Sequence, residues 1–125
     1  MLKTYQALAH LALSEARDIV VGARLLGGSQ ADPNKLRLAF VDGSYLDVWL
    51  TADGDYSYHW EWRRQTGRMY RWDNAPHHQQ VITFPAHFHD GDEATVDASI
   101  LSLETMTALR HVLACVRQRL VRVRE

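Results

Sequence analysis

The stretch Leu36-Arg37-Leu38-Ala39-Phe40-Val41-Asp42-Gly43-Ser44-Tyr45-Leu46-Asp47-Val48-Trp49-Leu50 decides the architecture. Leu36, Leu38 and Phe40 recur at period two, and so do Leu46, Val48 and Leu50. Two such runs around Asp42-Gly43 predict an antiparallel hairpin. Parity then sets the register. A two-residue loop pairs Phe40 with Tyr45 and sends the two apolar triplets to opposite faces. A three-residue loop pairs Phe40 with Leu46 and Leu38 with Val48, so both triplets face the same way. A slip of one residue flips every side chain, so burial selects the second arrangement.

Downstream, a second hairpin is expected from Tyr56 to Arg64 and from Met69 to Asp73, turning at Thr66-Gly67. Tyr56, Tyr58, Trp60 and Trp62 share one face, and His59, Glu61 and Arg63 share the other. A two- or four-residue loop sets Trp62 opposite Arg71 and Trp60 opposite Asp73. Arg71 and Asp73 would then lie on the aromatic face, as in a pocket, because buried charges must pair. Upstream, Leu2, Tyr5, Ala9, Ala12, Leu13 and Ala16 recur at helical spacing and predict a helix from Leu2 to about Arg17. Ile19 to Leu26 reads as a strand ended by Gly27-Gly28, followed by a loop from Gly28 to Asn34. Ala75 to Ser99 reads as a long loop with one short strand at Val81 to Phe84. Loops of that length are usually functional. From about Ser102 a second helix is expected, with Leu103, Met106, Leu109, Leu113, Val116 and Leu120 as its buried stripe. The expected fold is α+β: an antiparallel sheet of about five strands with N- and C-terminal helices on one face. Residues 1–125 should form a single domain.

Composition narrows the function. No apolar run approaches the ~20 residues of a membrane span, and the N-terminus carries no signal-peptide pattern. One cysteine, Cys115, excludes an internal disulfide and a cysteine-rich zinc site, so a reducing cytoplasm is expected. Cys115 falls in the C-terminal helix and reads as a packed side chain. No Gly-x-Ser-x-Gly elbow or Gly-x-x-x-x-Gly-Lys loop is present. The net charge of −1 is unevenly placed. Arg63, Arg64, Arg68 and Arg71 cluster without an acid around one turn. Arg110, Arg117, Arg119, Arg122 and Arg124 form another cluster, opposed only by Glu125. Arginine forks suit phosphate oxygens; the plain alternative is a solvated helix face.

Tyr56 to His89 holds five of the seven histidines, and Asn74 to His89 contains no Asp, Glu, Lys or Arg between its ends. Imidazoles are the only titratable groups there, which suits proton transfer, metal binding or phosphate recognition. Cleavage of an RNA phosphodiester needs a base, an acid and a cation near the phosphate. His77, His78, His87 and His89 are candidates for acid and base, Arg71 for the phosphate clamp, and Asp73 for orienting an imidazole. Tyr58 and Trp60 would stack an unpaired base. His59, Asn74, Arg63 and Arg64 complete the expected substrate contacts. This route requires no cofactor. In the competing metal reading, His87-x-His89 supplies two ligands, His77 or His78 a third, and Asp73 or Asp90 a carboxylate. In the structural reading, the imidazoles only hold an irregular segment to its own backbone.

Tyr56-x-Tyr58-His59-Trp60, Arg71-Trp72-Asp73-Asn74-Ala75-Pro76-His77-His78 and Phe84-Pro85-Ala86-His87-x-His89 resemble the TumE-type family of small bacterial toxins from type II toxin–antitoxin pairs. That pattern often carries a histidine where this chain has Ala86, which leaves His87 and His89 as the candidates. The resemblance implies a single toxin-like domain that inhibits growth and is neutralised by a helix-turn-helix antitoxin. It does not imply a reaction; RNA as target is inferred from residue types. The alternatives are a non-catalytic protein binding through its aromatic and histidine surface, or a metal-dependent hydrolase.

Overall fold

The computed structural model describes residues 1–124. Helix α1 (Leu2–Glu15) leads into strands β1 (Val20–Gly28), β2 (Pro33–Phe40), β3 (Tyr45–Leu50) and β4 (Tyr56–Trp62). A helical turn, α2 (Arg63–Thr66), precedes β5 (Arg68–Asp73), β6 (His87–Gly91) and β7 (Val96–Ala98), and α3 (Thr105–Arg124) follows. The strands form one antiparallel sheet in sequential order. The fold is α+β as expected, with seven strands rather than five. Both extra strands come from the segment expected to be loop. His87 and His89 alternate with Phe88 and pair with β5, whereas 81–84 forms no strand. Its turn bonds, Val81 N–H to His78 O and Phe84 N–H to Val81 O, run within the segment instead. The loop after β1 is also shorter than expected, since Pro33 and Asn34 already belong to β2.

The first hairpin keeps its expected parity but shifts its register. Leu38 pairs with Leu46 and Leu36 with Val48. The loop is Val41–Gly43, because Phe40 N–H bonds to Ser44 O and Gly43 N–H to Phe40 O. Gly43 takes φ +87°, a conformation that costs glycine little. Ser44 is thereby freed to accept the indole N–H of Trp60 at 3.0 Å, while Asp42 accepts that of Trp62 at 2.8 Å. Buried indole N–H groups need such partners, and these two tie β4 to the first hairpin.

Leu36, Leu38, Phe40, Leu46, Val48 and Leu50 form one core with Tyr56, Tyr58, Trp60, Trp62, Tyr70 and Trp72 and with both helices. Trp60 stacks on Trp62 at 4.1 Å between ring centroids and on Tyr70 at 5.4 Å. In α1 the buried face is Tyr5, Leu8, Leu11 and Ala12, and Leu13 points to solvent. The Tyr5 hydroxyl donates to Asn34 O at 2.8 Å and accepts Leu50 N–H at 3.0 Å. Those bonds tie α1 to β2 and β3, with Leu8 and Leu11 facing inward. In α3, Leu109, Leu113, Val116 and Leu120 are buried as expected. Leu103 is 83% exposed because the helix starts later, capped by Glu104, whose carboxylate accepts the N–H groups of Met106 and Thr107. Two arginines of α3 are opposed by acids at and just after the end of α1: Arg110 pairs with Glu15, and Arg117 with Asp18. Glu125, expected to oppose them, lies outside the described residues. No helix among the described residues is long and apolar enough to cross a membrane.

Candidate functional site

The connection between β4 and β5 decides where the polar residues go. It runs from Arg63 to Gly67: one helical turn closed by Gly67 at φ +81°. An odd number of residues inverts the expected parity, so Trp62 pairs with Arg68, Trp60 with Tyr70 and Tyr58 with Trp72. Aromatic residues therefore meet aromatic residues on the core face. Arg71 and Asp73 lie on the other face, opposite His59 and Ser57. The sheet then extends two rows across that face. One runs Asp47, His59, Arg71, His89; the other runs Trp49, Ser57, Asp73, His87. Cross-strand neighbours stand about 5 Å apart, so backbone pairing alone gathers these groups.

Asp73, 6% exposed, is the hub. Its Oδ1 accepts Ala75 N–H at 2.9 Å and lies 3.0 Å from His87 Nε2. Its Oδ2 accepts Arg71 Nε–H at 2.9 Å and lies 3.5 Å from His89 Nε2. The rest of the Arg71 fork embraces Glu93, Nη1 to Oε1 at 2.9 Å and Nη2 to Oε2 at 2.7 Å. Arg71 Nη2 also approaches His89 Nε2 at 3.2 Å. Hydrogen bonding from Glu93 raises the Arg71 pKa, and the same bond lowers that of Glu93.

His87 and His89 are buried, and their ring protons are assigned by their partners. His87 Nδ1 lies 2.9 Å from Pro85 O and His89 Nδ1 lies 3.0 Å from Glu93 O. A carbonyl only accepts, so both Nδ1 atoms carry hydrogen, and in the neutral rings both Nε2 atoms present lone pairs. Those two Nε2 atoms face each other at 3.1 Å. Burial pushes the His89 pKa down, as it does for His59, which favours the neutral imidazole in both. His78, half-buried on the segment after β5, brings its ring centroid to 4.6 Å from His87 and 5.5 Å from His89.

Above this cluster opens a pocket of ≈ 590 Å³. Arg71, Asp73, Asn74, His77, His78, His87 and His89 all line it. His77 is exposed at the mouth. Asn74 is spent on structure: its side chain accepts Tyr56 N–H and donates to Gly54 O. Tyr58 and Trp60 are absent from the pocket, since both are core residues on the opposite face at 2% and 0% exposure. His59 stands behind Arg71 and contacts Glu61. Arg63 pairs with Glu61, and neither Arg63 nor Arg64 reaches the pocket. Sequence reasoning missed Trp49 and Glu93. Trp49, 37% exposed, lines the rim. Its alternation with Leu46, Val48 and Leu50 already placed it on the polar face. Glu93 left no local signal, because its partner Arg71 is 22 residues away.

These features define an α+β protein with helices on one face of a single antiparallel sheet and a histidine–carboxylate–arginine pocket on the other. A model of the family described as Toxin TumE matches residues 9–120. The chain belongs to the TumE toxin family, so it is a toxin of a toxin–antitoxin system and has an antitoxin as partner. No curated protein and no solved structure matches the chain.

Proposed function

We propose that this toxin cleaves RNA and that the pocket over Asp73 is its active site. The observation that carries the reading is the convergence of three imidazoles, a carboxylate and a guanidinium fork on one open cavity. Phosphodiester cleavage asks for that set: proton carriers, an orienting carboxylate and a cation for the phosphate. Arg71 presents its fork toward the cavity, with the 55% exposed Glu93 carboxylate in the place of an anion. A phosphate oxygen pair displacing Glu93 would meet the same two N–H groups. Trp49 at the rim takes the stacking role expected of Tyr58 and Trp60. His77 is exposed at the mouth of the cavity. The antitoxin in this reading is a small helix-turn-helix DNA-binding protein encoded alongside, and the two proteins should co-purify when their genes are expressed together.

The test is induced expression of wild type and His78→Ala, followed by growth and total-RNA integrity. Wild type should fragment RNA within the period of growth arrest, and His78→Ala should not. Growth arrest with intact RNA would overturn the RNA target.

A further inference from the structure

The lone pair of His87 creates a problem that a ligand solves, whereas that of His89 also has Arg71 Nη2 at 3.2 Å. His87 Nε2 has His89 Nε2 at 3.1 Å and Asp73 Oδ1 at 3.0 Å as neighbours, and each of these is an acceptor. A buried acceptor surrounded by acceptors is unfavourable unless a cation lies among them. A proton on one ring would answer for one pair of atoms, but it has no need of a third imidazole. Yet His78 is there, and one nitrogen from each of His78, His87 and His89 lies within 4.8 Å of the others.

We propose that His78, His87 and His89 bind one divalent first-row transition ion, of which zinc is the representative. Zinc–imidazole bonds of about 2.0–2.1 Å set ligand nitrogens about 3.3 Å apart in a tetrahedron. The 3.1 Å between the Nε2 atoms of His87 and His89 is close to that edge. His78, on the segment between β5 and β6, completes the third corner by a small ring movement. The outer contacts also match. Each buried ligand donates its other ring N–H to a backbone carbonyl, Pro85 or Glu93, which fixes the tautomer that coordinates. Asp73 adds negative charge beside the ion. With Glu93 it outweighs Arg71, whose fork holds Glu93 in this structure. Nitrogen donors select the zinc class over magnesium or calcium, which take oxygen. The fourth position faces the pocket, where water or a phosphate oxygen would sit. That last role rests on the RNA reading and replaces proton transfer by these three rings, since a nitrogen that coordinates the ion cannot also carry a proton; the binding of the ion does not rest on that reading.

The test uses the untagged full chain, stripped with chelator and titrated with Zn²⁺ by calorimetry and with Co²⁺ by visible absorption. The expected result is one equivalent, a tetrahedral Co²⁺ spectrum and a rise in Tm with Zn²⁺. Removing a ligand exceeds the loss of an outer contact, so His78→Gln and His89→Gln should each weaken binding more than about 100-fold. His78 is half-buried, so His78→Gln keeps the test valid should His89→Gln misfold. His111→Gln, which removes the exposed imidazole beside Cys115, should bind as wild type does. Absence of stoichiometric binding, or binding undiminished in His78→Gln, overturns the site. Growth and RNA integrity separate the two proposals. Metal binding without RNA cleavage upholds the site and refutes the RNA reading. RNA cleavage by protein that binds no metal does the reverse.

Discussion

Replacing Glu93 by Gln should tighten the binding of a phosphate backbone. Glu93 occupies both Nη groups of Arg71, at 2.9 and 2.7 Å, and that carboxylate is the obstacle a phosphate must move. The Glu93 side chain is 55% exposed, so the pair is solvent-screened. Exposed ion pairs are worth about 0.2–1 kcal/mol, and bidentate geometry puts this one near the upper end. Releasing about 1 kcal/mol of competition raises affinity about fivefold. The segment should hold its place, because His89 Nδ1 donates to the backbone carbonyl of residue 93, which the substitution keeps. The assay is fluorescence anisotropy of a labelled single-stranded 2′-O-methyl RNA, which binds without being cut through its 2′-hydroxyl, at fixed ionic strength. Asp32→Asn makes the same change in net charge at an exposed turn far from the pocket and should move the affinity less than twofold. Equal affinities for Glu93→Gln and Asp32→Asn would refute Arg71 as the phosphate seat.

Three further outcomes follow from the contacts. Arg71→Lys should reduce growth inhibition well beyond Arg64→Lys, since an ammonium cannot span Asp73 and both Glu93 oxygens as the fork does; equal toxicity of the two variants would refute it. Leu113→Ala should lower stability by about 2–5 kcal/mol in denaturant unfolding, because the side chain is 3% exposed within the core. Asp47→Asn should lower stability at pH 7 and flatten the acid limb of a stability–pH curve. Burial alone would raise the Asp47 pKa, but bonds from Arg37 and Lys35 outweigh it and hold the carboxyl below its ordinary value. A depressed folded-state pKa contributes stability present above the unfolded value near 3.9 and lost as pH falls through the folded one. The wild-type advantage should therefore shrink as pH falls below about 4 and vanish only below the folded-state value, and an unchanged acid limb in the variant would count against the assignment.

Period-two apolar patterning made the first hairpin and its core face legible, because a slip there would expose six large side chains. What escaped the sequence was set by partners distant in the chain. The buried face of α1 includes Tyr5, whose hydroxyl bonds to β2 and β3 far along the chain. Strand β6 was invisible because His87-Phe88-His89 has no apolar alternation of its own. Those histidines face Arg71 and Asp73 on the neighbouring strand, a pairing that their own segment does not announce. The candidate imidazoles and Arg71 and Asp73 were legible by type, since no other titratable groups occur between Asn74 and His89. Their arrangement was not, because it depended on whether the connection after Trp62 was odd or even.

That parity does more than correct a register. With an even connection, Arg71 and Asp73 would enter the aromatic face, where two charges would lose their hydration inside a core of tryptophans. The helical turn at Arg63–Thr66 and the left-handed Gly67 make the connection odd, and the charges emerge on the open face. Once they do, antiparallel pairing leaves no freedom. Asp73 stands opposite His87, and Arg71 opposite His89. The deep half of the site is thus fixed by strand pairing rather than by a loop, which holds its groups more tightly than loops do. Among the imidazoles of the pocket, its guanidinium and the carboxylates that Arg71 holds, only His77, His78 and Glu93 come from irregular segments.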